Sequence, residues 1–99
     1  MESLAGLVCA AEIVLETGEV ASRFGDAERV DARSAKLCER ARAMRDAGGD
    51  LDDVIFTTLD RVHLFVFDET RSRVLYAESE RATGNIAMTR FALEALAAS

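Results

Sequence analysis

Few side chains in this 99-residue sequence are of types that do chemistry, and their spacing decides what they can do. His63 is the sole histidine. It shares its parity with Phe65 and Phe67 inside an apolar run, and no cysteine or carboxylate stands at ligand spacing from it. A structural or interfacial role is therefore expected, not metal binding. Cys9 and Cys38 are too few for a disulfide framework and form no CxxC pair, so they read as buried thiols of a reducing cytoplasm. A nucleophilic cysteine needs a base and an electropositive setting, and the sequence locates neither. The acidic run Asp50, Asp52, Asp53 lacks the alternating ligands and closing glutamate of a calcium loop. It reads as a solvated turn followed by edge charge that discourages aggregation. Neither "DAGGD" nor "ATGN" is a phosphate-binding glycine motif. Ser3, Ser22, Ser34, Ser72 and Ser79 all lack a G-x-S-x-G context. No catalytic residue, metal or cofactor is expected, and the chain does not read as an enzyme.

One feature stands out. Arg29, Arg33, Lys36 and Arg40 recur at steps of four, three and four, which places a basic ridge on one side of a helix. A solvated face with local pairs to Asp31 or Glu39 would account for it. A docking surface for an acidic partner would account for it too, the charge acting on association rate and specificity. The ridge belongs to an acidic chain, of net charge −6 and pI near 4.7. That balance opposes general nucleic-acid binding, which needs a basic footprint to displace counterions, and disfavours anionic membranes. No run of 18 or more residues is continuously apolar. The opening "MESLAGLVCAAEIVL" carries Glu2 and Glu12 and has no basic start, so it reads as structure and a cytoplasmic location is expected. With 49% apolar and 30% charged residues, a single domain spanning 1–99 with its own core is expected. A domain this small would gain stability from a partner.

The elements that must position these residues follow from periodicity. Leu7 to Leu15 and Glu19 to Phe24 read as strands joined by the turn "ETGE". Asp26 is placed to cap a helix whose stripe is Val30, Ser34, Leu37, Ala41 and Met44, stopped by Gly48 and Gly49. Leu51 to Leu59 is a third strand, and "RVHLFVFDETRSRVLYAES" (Arg61 to Ser79) supplies a fourth and fifth. Asn85 or Thr83 caps a last helix, Ile86 to Ala97, with Ile86, Leu93 and Leu96 near one face and Met88, Phe91, Ala92 and Ala95 widening the apolar arc. Met1 to Ala5 has room for one helical turn. In the fourth strand Val62, Leu64 and Val66 occupy one parity while Phe65 and Phe67 occupy the other, so both faces need cover. The expected architecture is an α/β (α+β) three-layer sandwich. A five-stranded, mostly antiparallel sheet has helices on both faces, in the order β-β-α-β-β-β-α.

Three stretches, "GLVCAAEIVLETGEVASRFGD" (Gly6 to Asp26), "LDDVIFTTLDRVHLFVFD" (Leu51 to Asp68) and "GNIAMTRFALEAL" (Gly84 to Leu96), resemble the roadblock / dynein light-chain family. They correspond to its opening hairpin, middle hairpin and closing helix, and the resemblance spans nearly the whole chain. Family members begin with a full helix, and here only Met1 to Ala5 stand in that place. The resemblance implies a roadblock-like (profilin-like) fold and a homodimer in which third strands pair edge to edge and middle helices pack across the two-fold axis. It places Asp53, Ile55 and Thr57 on the pairing strand, and Leu37, Ala41 and Met44 near the helix contact. It also implies a platform that engages a small Ras-like GTPase or a scaffold protein, with Arg33, Lys36 and Arg40 as partner-binding candidates. The expected function is a non-enzymatic homodimeric interaction module that regulates or scaffolds such a partner. The alternative is a small-molecule sensor with an apolar pocket between sheet and helix. An enzyme using Cys9, Cys38 or His63 ranks far behind.

Overall fold

The computed structural model describes residues 6–48 and 52–98. The helical turn expected at Met1 to Ala5, Gly49 of the helix stop, Asp50 of the acidic run and Leu51 of the third strand lie outside the described residues. The chain runs β1 (Leu7–Val14), β2 (Val20–Gly25), α1 (Ala27–Gly48), β3 (Asp53–Thr57), β4 (Arg61–Phe67), β5 (Arg73–Glu80) and α2 (Ile86–Ala98). This is the order expected from periodicity. Two strands end earlier than their apolar runs. Leu15 leaves the β1 ladder and donates its N–H to the Ser72 carbonyl at 2.9 Å. β3 stops at Thr57 because Thr58 closes the turn: its N–H donates to the Arg61 carbonyl at 2.9 Å, and its hydroxyl accepts from the Arg61 N–H at 3.2 Å. Leu59, at the tip of that turn, is 92% exposed.

The five strands form one sheet in the order β2-β1-β5-β4-β3, and every neighbouring pair is antiparallel. β2 and β3 are the two edges, so α1 carries the chain from one side of the sheet to the other. It starts at Asp26, whose carboxylate accepts the Arg29 N–H at 3.1 Å. Of the two candidate caps for α2, Asn85 serves, accepting the Met88 N–H at 3.1 Å. Gly25 ends β2 with φ of 72°, and a β-carbon there would lie 2.5 Å from the Val8 carbonyl oxygen. Only glycine makes that turn into α1 without strain.

Side-chain alternation then divides the core in two. Phe65 and Phe67 of β4, with Val74 and Tyr76 of β5 and Ile13 of β1, pack beneath Val30, Leu37, Cys38 and Ala41 of α1. Leu64 and Val66, with Ala10, Leu75 and Ala77, pack beneath Leu93 of α2. Each parity of the fourth strand thus has its own helix, and the three-layer sandwich is as expected. Met88 and Phe91 of α2 depart from expectation, at 53% and 70% exposed. They lie on the side of α2 turned away from the buried Leu93.

The helices are offset. α1 packs mainly over β1 and β2, whereas α2 packs over β4 and β5. Among the described residues no helix covers the α1-side surface of β3, where Phe56 is exposed. This offset leaves a groove between α1 and β3.

Candidate functional site

The site is built around a carboxylate that sequence reasoning did not single out. Glu78 follows Val74 and Tyr76 on the inward parity of β5, and its side chain is fully buried. Three guanidinium groups meet it. Arg29 Nε donates to Oε1 at 2.9 Å while its Nη2 lies 2.8 Å from Oε2. Arg33 Nη1 donates to Oε1 at 3.2 Å, and Arg61 Nε donates to Oε2 at 3.2 Å. The Tyr76 hydroxyl stands 3.4 Å from Oε1 and 2.7 Å from His63 Nδ1, so a polar chain runs from β4 through β5 to α1. A glutamate at an inward position of a buried strand, facing a helix with arginines four residues apart, was the available signal. Alternation and helical spacing show each half separately, but only the crossing of α1 over the sheet joins them.

The electrostatics follow from this geometry. Burial alone would raise the Glu78 pKa, but the hydrogen bonds and charge of Arg29, with help from His63 and Arg33, bring it below the ordinary glutamate value. Burial lowers the His63 pKa, and Arg33, Arg29 and Arg40 add to this against the opposing pull of Glu78. Burial first, then the Glu78 charge, pushes the Tyr76 hydroxyl upward. Burial likewise pushes the Cys9 thiol up to about 11, so it stays protonated at neutral pH, the opposite of an activated nucleophile. Cys38 is buried as well, its thiol 3.6 Å from the Leu15 carbonyl.

The basic ridge is thus divided. Arg29 and Arg33 turn to Glu78 and not to the local partners expected for them; Asp31 pairs with Arg23 at 2.6 Å instead. Lys36 and Arg40 are exposed and make no ion pair among the described residues. Arg33, Lys36 and Arg40 form one wall of a groove of about 620 Å³, together with Ala32 and Leu37. The other wall and floor are Phe56, Thr57, Thr58, His63, Phe65 and Tyr76. Among the described residues no acidic side chain lines it. Phe56 is 42% exposed and meets Phe65 edge-on, with ring centroids 6.0 Å apart.

The other candidate residues divide between core and edge. Leu37 and Ala41 are buried in the chain's own core, and Met44 packs half-buried beside them. They are already committed to the sheet, so a helix contact near them would fall to their neighbours on the groove side. Asp53, Ile55 and Thr57 lie on the free edge strand. β3 pairs with β4 through hydrogen bonds that include Phe67 N–H to the Asp52 carbonyl and Thr58 N–H to the Arg61 carbonyl. By antiparallel alternation, the backbone groups of residues 53, 55 and 57 therefore point away from β4. The acidic run serves in ion pairs: Asp53 with Arg90 of α2 at 2.6 Å, and Asp52 with Arg71 at 3.6 Å. Among the described residues no group of three His, Cys, Asp or Glu side chains is arranged to hold a metal ion. Among the described residues no helix is long and apolar enough to cross a membrane.

A five-stranded antiparallel sheet in this strand order, with a crossover helix on one face and a C-terminal helix on the other, is a roadblock-like fold. Solved structures carry the same architecture. The chain is similar to a Roadblock/LC7 domain from Streptomyces avermitilis, with a TM-score of 0.80 at 18% identity over 96% of this chain and 82% of that one. It is similar to MglB of Myxococcus xanthus, with a TM-score of 0.76 at 10% identity over 92% of this chain and 77% of that one. MglC of Myxococcus xanthus aligns with a TM-score of 0.66 at 10% identity over 95% of this chain and 83% of that one. No protein-family model matches the sequence, and no curated protein does. The likeness lies in the path of the backbone, as expected when identity is this low.

Proposed function

We propose that the chain is a non-enzymatic homodimeric interaction module that regulates or scaffolds a small Ras-like GTPase or a larger protein complex. The observation that carries this reading is the free edge of β3. Its outward backbone groups at Asp53, Ile55 and Thr57 are unpaired by β4, and Ile55 and Phe56 are both exposed beside them. An open edge flanked by apolar side chains is a template for strand addition. Addition of a second β3 about a two-fold axis satisfies both edges at once and closes the assembly. The opposite edge is less suited, because the β1–β2 ladder is irregular between Glu12 and Ile13. The likeness to MglB and MglC supports a protein-binding role, with Arg33, Lys36 and Arg40 as the face offered to the partner.

The test uses Ile55→Pro. Proline at this position removes an N–H that points away from β4, so the intrachain ladder keeps its bonds. Light scattering should show a dimer for the parent chain and a folded monomer for the variant. A parent chain that is monomeric at high concentration ends the dimer reading. Mixing the dimer with the small GTPases of its own organism, loaded with either nucleotide, tests the partner class, and no association with any of them removes the GTPase version. A second reading, a small-molecule sensor, draws on the groove, whose volume of about 620 Å³ lies in the range of about 300–1,000 Å³ usual for ligand pockets. A melting shift with an apolar carboxylate would favour it, and no shift across a metabolite panel would count against it.

A further inference from the structure

We infer that the outward side of α2 is a second self-association surface, which packs antiparallel against α2 of another copy about a two-fold axis level with Ala92. This surface lies on the opposite face of the sheet from α1. It is also clear of the proposed strand pairing. α2 packs over β4 and β5, inward of the β3 edge, so β3–β3 addition sets the two α2 helices of that dimer roughly 20 Å apart, about two helix diameters.

The outward side needs cover of its own. Between Ile86 and Ala98 the only charged residues are Arg90 and Glu94. With Leu93 against the sheet, about 100° per residue places Met88, Phe91 and Ala95 opposite it, and Ala87 and Ala98 beside them. All five are exposed. A helix that is apolar all round belongs in an interior. Arg90 and Glu94 border the stripe on the β3 side, where Arg90 Nη2 lies 2.6 Å from Asp53 and its Nε lies 3.1 Å from Glu94. A guanidinium has five donors, so these two contacts leave others to bridge a further carboxylate.

The stripe is complementary to itself. In an antiparallel two-fold pair the same flank of each helix meets, and matched residues stand at equal distances either side of the axis. With the axis level with Ala92, Arg90 comes opposite Glu94 of the second copy, and Glu94 opposite its Arg90. Met88 then stands within one residue rise, about 1.5 Å, of the level of Ala95 of the second copy, so a long side chain lies over a small one. Ala87 and Ala98 match in the same way. The two Phe91 rings straddle the axis about 3 Å apart in height, as an offset aromatic pair. One axis position thus suits the charged, the bulky and the small residues together. A parallel pair would set the Arg90–Glu94 flanks on opposite sides and match no charge. One side of a 13-residue helix, about 20 Å long, buries less than the about 1,200 Å² of a stable complex, so the contact is reversible and builds with concentration.

Sedimentation of the full-length chain from about 10 µM to about 1 mM tests this. The mass should rise above its low-concentration value, and Phe91→Ser should abolish the rise. Arg90→Glu and Glu94→Arg should each weaken this step about tenfold, and mixing the two should restore it, because each charge then faces its opposite. Circular dichroism checks that each variant folds. Ala87→Cys/Ala98→Cys chains should join through a thiol cross-linker of about 8 Å, half the roughly 16 Å between these positions along one helix, and neither single variant should. Three results each overturn the inference: a mass constant over the range, which leaves the stripe to a different protein; a rise that Phe91→Ser does not remove; or cross-linking of Ala87→Cys alone that equals the double variant. Ile55→Pro separates this contact from strand pairing. It should remove the low-concentration dimer and leave the later step. A parent chain that is monomeric at about 10 µM and doubles only through Phe91 ends the strand-paired dimer and supports the α2 contact, and a dimer throughout the range does the reverse.

Discussion

Replacing Glu78 with glutamine tests whether the buried carboxylate holds α1 onto the sheet. The substitution keeps the shape and removes the charge that Arg29, Arg33 and Arg61 share. Removing one partner of a buried ion pair costs about 3–5 kcal/mol, because the remaining charge is left without compensation. The three arginine side chains are 31%, 44% and 30% exposed, so they can turn partly to water and the cost falls. A loss of about 2–3 kcal/mol follows, which for a domain of this size lowers Tm by roughly 10–20 °C. The acid limb provides a second signature. Glu78 has a folded pKa below its unfolded value, so its stabilisation is complete above the ordinary glutamate pKa of about 4.3 and is lost as pH falls through the folded value. The parent chain should therefore lose stability as pH falls below about 4.3, and E78Q should lack that part of the slope. Urea denaturation followed by circular dichroism at pH 7 and at several lower values measures both effects. If E78Q melts within about 2 °C of the parent and keeps the same acid slope, the carboxylate is not the tie described here.

Three further outcomes follow from other parts of the fold. His63, lowered by burial, should show an NMR midpoint below the ordinary value of about 6.5. Its contribution is complete above that value and declines as pH falls towards the folded midpoint; a midpoint at or above 6.5 would contradict the burial described. Gly25→Ala should destabilise by about 2–3 kcal/mol in a denaturant titration, because the site needs positive φ and the new β-carbon meets the Val8 carbonyl. Cys9, with its thiol held near 11, should react with a thiol reagent at pH 8 only as fast as the chain opens. Rapid labelling of Cys9 in the folded state would refute that assignment.

Much of the architecture was legible because local pattern and buried face agree. Phe65 and Phe67 alternate with Leu64 and Val66, which announces a strand covered on both sides whatever its neighbours are. Asp26 starts α1 by the same capping chemistry that isolated helices use. The candidate site was legible only in part. The basic ridge was visible in the helical spacing of Arg29, Arg33, Lys36 and Arg40, but the partners offered to it, Asp31 and Glu39, were neighbours along the chain. The actual partner of Arg29 and Arg33 lies 49 and 45 residues away. Phe91 and Met88 looked like core because they complete an apolar arc, yet the sheet is covered by the arc's other side.

Local sequence by itself determined the seven elements, their order and the need to cover both faces of the fourth strand, because period, caps and turn residues act over a few positions. Tertiary structure decided the rest. It chose the strand order that puts β3 at an open edge, the offset of α1 that uncovers Phe56, and the meeting of three arginines at Glu78. Those features depend on where a 22-residue helix lands after crossing the sheet, and that position is set by packing among residues far apart in the chain.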